Sequence, residues 1–152
     1  MISRPLTDEA LKRIKALGDS FVSGWSAHEN KLAASFEIIG ERILLVKVNE
    51  EVHGASGCSI DKLTRFVKET EAGFDIELLN RFLVAYKSEG KTEVVHASGI
   101  KTLLEQHLIT EDTLVYNTAA ATEQELAGWE QPLKNTWLAK YLIKTEDSSF
   151  KI

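Results

Sequence analysis

The stretch Gly54-Ala55-Ser56-Gly57-Cys58-Ser59-Ile60-Asp61 gathers the residue types best suited to chemistry in this chain. It holds the single cysteine and follows the apolar run Ile43-Leu44-Leu45-Val46. A helical pattern comes next. Small residues let backbone amides approach one point, and a helix start carries a partial positive charge. The first chemistry this suggests is anion binding. The amides of Ser56, Gly57, Cys58 and Ser59, with the Ser56 and Ser59 hydroxyls, are suited to a carboxylate or phosphate. Arg65, one to two turns along the helix, would add charge, and Asp61 sits in what reads as the first turn. The plain alternative is a Gly-rich link with Ser59 or Cys58 as N-cap.

The second chemistry is that of a thiol. A helix N-terminus or a neighbouring imidazolium favours the reactive thiolate. Cys58 precedes the helix, His28 or His53 would serve as its base, and Asp61 or Ser56 would orient the partner. Against this, a lone cysteine usually behaves as a small buried hydrophobe. A third reading uses the aromatics Trp129, Trp137 and Tyr141 as an interaction surface, including self-association, because aromatics are enriched at contact centres. Their helical spacing equally suits docking onto the protein's own core.

Other chemistries lack their residues. His28, His53, His96 and His107 show no metal-binding interval, and one cysteine makes no structural zinc centre. No metal or cofactor is expected. Gly54-Ala55-Ser56-Gly57 lacks the Gly-x-Ser-x-Gly spacing of a nucleophile elbow.

The whole chain sets the frame. Its 152 residues suit one domain with a real core. Apolar residues make up 43% and charged residues 27%, as in ordinary globular proteins. The net charge of −5 argues against a broad nucleic-acid footprint. A single cysteine and the absence of a signal-peptide pattern lead us to expect a reducing cytoplasm. The longest apolar run is too short to span a bilayer.

The elements that must hold the turn can be read in order. Thr7 caps a helix whose apolar face is Ala10, Leu11, Ile14, Leu17, Phe21 and Val22, ending near Ser23-Gly24. A loop follows, with Trp25 at its base and His28 bonded locally. Ser35–Ile39 and Arg42–Val48 form a hairpin around Gly40-Glu41, with Phe36 and Ile38 on one face and Ile43, Leu45 and Lys47 of the other parity. The second of these strands is apolar enough to be central. The helix after the turn carries Ile60, Leu63, Phe66, Val67 and Thr70 and stops near Ala72-Gly73.

Residues 76–81 read as either a short helix or a link. Phe82–Tyr86 and Thr92–His96 form a second hairpin. Ser98 caps a helix reaching His107, and Thr113–Tyr116 is a last strand. Thr122 and Glu125 have capping-box spacing. Leu133, Trp137 and Tyr141 mark a helical face up to Leu142, and residues 143–152 read as a frayed tail. The expected fold is therefore α+β: a single domain over 1–142, with a largely antiparallel sheet of about five strands built from both hairpins plus one strand.

Trp25-Ser26-Ala27-His28, Ala34-Ser35-Phe36-Glu37-Ile38, the Gly54–Asp61 string, Arg65-Phe66 and Leu83-Val84-Ala85-Tyr86-Lys87 together resemble a family of uncharacterised bacterial proteins. Its members often carry the label "ABC transporter ATPase". Such an ATPase needs a Gly-x-x-x-x-Gly-Lys-Ser/Thr loop, and no stretch here fits it. The resemblance implies that these positions form a shared site. It also implies a further strand-like segment ahead of the first helix; this chain starts almost at that helix, so the expectation is either that one sheet edge is absent or that the sequence is shortened at its start. The expected functional surface is the turn 54–61 with Trp25 and His28 beside it.

Overall fold

A computed structural model describes residues 1–142. The frayed tail expected over residues 143–152 lies outside the described residues. The fold is α+β with antiparallel strands throughout. By backbone contacts the chain divides into two compact units, Met1–Asn80 and a second that begins at Arg81.

In the first unit, helix α1 spans Asp8–Gly24, and the Thr7 side chain caps it by accepting from the Ala10 amide. Ile14, Gly18 and Val22 recur at four-residue steps and are its buried stripe. The stretch expected to be a loop is instead a miniature hairpin, β1 (Ser26–Ala27) and β2 (Asn30–Lys31). Its two-residue turn is His28-Glu29, both with positive φ, the backbone that a tight hairpin requires.

Strands β3 (Ala33–Ile39) and β4 (Ile43–Asn49) pair in the register that their alternation predicts. Phe36 lies opposite Val46 and Ile38 opposite Leu44, so one face is apolar and packs with α1. The connection has three residues, because Arg42 leaves the ladder and is buried, its Nε donating to the Ile2 carbonyl. Helix α2 spans Gly57–Phe74 and ends on Asp75 in the left-handed region, where its N–H reaches the Glu71 carbonyl.

The chain start is part of this core. Ile2 is fully buried, and its amide donates to the Arg42 carbonyl. Ser3 exchanges hydrogen bonds with Glu77, and the Met1 ammonium donates to the Leu78 carbonyl. Burial pushes that amine's pKa down, and the Glu71 carboxylate pushes it back up. Residues 76–78 are thus a link tied to the N-terminal segment, with Ile76 and Leu78 buried.

In the second unit, β5 (Leu83–Ser88) and β6 (Lys91–His96) form the second hairpin, turning at Glu89-Gly90. Its sheet has the order β6-β5-β7-β8, with β7 at Leu114–Tyr116 and β8 at Glu130–Pro132. The two hairpins therefore belong to different sheets, which corrects the expected single sheet. The internal strands of this sheet are β5, where consecutive Val84 and Ala85 are both buried, and β7; β4, expected to be central, pairs with β3 alone among the described residues.

The helix expected behind Ser98 is a 3-10 turn at Ala97–Gly99, capped by His96, leading into the short α3 (Ile100–Glu105). Helix α4 (Glu123–Ala127) carries the expected capping box of Thr122 and Glu125. The segment after Pro132 forms 3-10 turns at Leu133–Asn135 and Trp137–Tyr141. Leu133 and Leu138 point inward there, while Trp137 is 58% exposed with the Lys140 ammonium over its ring.

Candidate functional site

Trp25 organises the site. Its amide closes α1 on the Val22 carbonyl, and its own carbonyl accepts from the Leu32 amide at the exit of β2. Its indole N–H donates to the Ser59 carbonyl over 2.8 Å in the interior. One residue, 2% exposed, therefore joins the end of α1, the small hairpin and the first turn of α2.

The turn itself starts the helix earlier than its sequence suggests. Ser56, not Ser59 or Cys58, is the N-cap. Ser59 occupies the third helical position and completes a capping box. The Ser59 amide donates to Ser56 Oγ at 3.2 Å, and the Ser56 amide donates to Ser59 Oγ at 2.7 Å. The Ser59 hydroxyl donates in turn to the Ser56 carbonyl at 2.7 Å. Asp61 consequently falls beyond the first turn, which contains no acid.

The same geometry fixes what the turn offers a ligand. The Ala55 amide is taken by the Glu50 carboxylate, and the Ser56 and Ser59 amides by each other's hydroxyls. Among the described residues, only the Gly57 and Cys58 amides of the first turn stay open. Nor does crowding require the glycines. A Cβ at Gly54 or Gly57 would meet nothing within 4 Å, and neither has a positive φ. Replacing Ser59 by Ala should cost about 1–2 kcal/mol, because the half-buried Ser56 amide loses its partner, while the Ser56 carbonyl keeps the Ile60 amide. Thermal melts together with amide exchange at the start of α2 measure it; an unchanged melt would show the box to be idle.

Cys58 is free and exposed at the second position of α2. His28 is exposed in the hairpin turn, where its carbonyl accepts from Asn30, and His53 is exposed in the loop before α2. Among the described residues neither histidine hydrogen-bonds the thiol. The structure gives Cys58 access to solvent. No group of three or more His, Cys, Asp or Glu among the described residues could hold a metal ion.

An open groove of about 410 Å³ lies beside this turn, between the end of α1 and the outer face of α2. Its apolar lining is Phe21, Trp25 and Phe66, with Gly24 at the edge. Phe21 stacks on Phe66 at 4.6 Å and 13°, and Trp25 tilts against Phe21 at 5.3 Å. Its polar lining is Lys62, Arg65 and Glu69, all exposed. Lys62 and Arg65 take part in no ion pair or hydrogen bond among the described residues. The groove therefore presents two cations and one carboxylate on a chain whose net charge is −5.

Of the residues expected to bind a ligand, Trp25 and Arg65 line this groove; Ser56, Gly57, Cys58, Ser59 and Asp61 do not. Lys62, Phe66 and Glu69 were legible beside Arg65, since positions three and four apart share a helix face. Phe21 comes from another helix, so only the tertiary packing reveals it.

Compared with protein-family models, with curated proteins and with solved structures, the chain gives no match in any of the three. The resemblance read from its motifs rests on those residues alone. Among the described residues no helix is long and apolar enough to cross a membrane.

Proposed function

We propose that this protein binds a small anionic ligand with an apolar body, in the groove between the end of α1 and α2. The observation that carries this is the pairing of chemistries. Lys62 and Arg65, with no internal partner among the described residues, line the same groove as the aromatic rings of Phe21, Trp25 and Phe66. Arg65 presents a planar fork suited to a carboxylate or phosphate, and Lys62 adds a point charge. The rings take apolar surface out of water. The volume falls within the range of small-molecule sites. This keeps the anion expected from the sequence and moves it along α2, from a turn whose Ser56 and Ser59 amides are engaged in the cap to side chains that are not.

The test is a titration with 3-phenylpropionate, benzoate and inorganic phosphate, followed by calorimetry. The aromatic acids should bind more tightly than phosphate, and added salt should weaken all three. Changing Lys62 and Arg65 to Gln should each lower affinity roughly 10- to 100-fold, the size of a charge-assisted hydrogen bond. No heat with any of the three, or equal affinity in the double variant, overturns the proposal.

A further inference from the structure

The order of charges along α2 narrows the ligand class. Lys62, Arg65 and Glu69 follow one another along the same side of the groove. Arg65 and Glu69 are four residues apart, so their backbones differ by about 6 Å of rise. Among the described residues Glu69, like the two cations, forms no ion pair or hydrogen bond. An Arg followed four residues later by a Glu is also the weaker orientation for an internal helix pair. A ligand bearing only negative charge would meet attraction at one end of this row and repulsion at the other.

Resting on the proposed anion site, we infer that the groove takes a short zwitterion: an anionic end on Lys62 and Arg65, an ammonium on Glu69, and an apolar side group toward Phe21 and Phe66. The interval suits a dipeptide, whose two residues extend about 7 Å; a single amino acid is shorter than the row. The probes are glycyl-phenylalanine, its N-acetyl form and its C-terminal amide, titrated at a pH where the free amine is protonated.

Glycyl-phenylalanine should bind at least about 10-fold more tightly than either blocked form. Glu69→Gln, an exposed change, should bring the free and N-acetyl dipeptides to equal affinity, the free form weakening and the acetylated form holding or gaining. Equal binding of the free and acetylated dipeptides overturns the zwitterion while leaving the anion site intact. Failure of all three to bind overturns both readings.

Discussion

Trp25→Ala should destabilise the first unit by about 3–5 kcal/mol, the range for deleting a buried aromatic. The site makes the upper half of that range the better expectation. The indole is 2% exposed, touches Phe21, and donates the hydrogen bond that fixes the Ser59 carbonyl. Trp25→Phe separates the two contributions. It keeps most of the ring volume and should cost about 1–2 kcal/mol, mainly for the lost donor. Amide exchange in α1 and α2 reads both, without interference from Trp129 and Trp137. A cost for Trp25→Ala under about 1 kcal/mol would show that the three elements do not depend on this side chain.

Gly18→Ala should also be strongly destabilising, by about 1–3 kcal/mol or more, although alanine is the better helix former by about 1 kcal/mol. Gly18 lies on the buried stripe of α1, directly over Phe36 of β3. A Cβ there would overlap three atoms of the Phe36 ring. Helix and strand can approach this closely only because that side chain is missing. Pairing Gly18→Ala with Phe36→Leu should recover part of the loss, and a double-mutant cycle from denaturant melts measures the coupling. Additive costs would place the clash elsewhere.

Much of this architecture is legible in the residues, for local reasons. Thr7 and the four-residue spacing of Ile14 and Val22 define α1, and Thr122 with Glu125 defines the entry to α4. Alternation sets the β3–β4 register, because a slip by one residue would turn Phe36 and Ile38 outward. What was not legible depends on distant partners. Nothing local to Ile2 shows that it is buried between Arg42 and the 76–78 link. Three residues ending in Pro132 carry no strand period, yet they form the edge strand β8, a place where proline is tolerated.

Placing both hairpins in one sheet follows from the order of the elements, but pairing partners are chosen by tertiary packing. The same limit applies to the site. The Gly-rich string drew attention to a real structural junction, whose hydroxyls and amides serve the helix cap. The neighbouring side chains on α2, one to three turns further along, hold the groove charges.

The most direct test of the anion groove is a nuclear magnetic resonance titration with 3-phenylpropionate, following the indole and backbone N–H signals. Trp25 borders the groove; Trp129 and Trp137 do not line it. Saturable shifts of the Trp25 indole and of the Lys62 to Glu69 amides are expected, with the other two indoles still and the response lost in the Lys62→Gln, Arg65→Gln double variant. Stationary Trp25 and α2 signals at millimolar ligand, or movement confined to Trp129 and Trp137, would contradict the account.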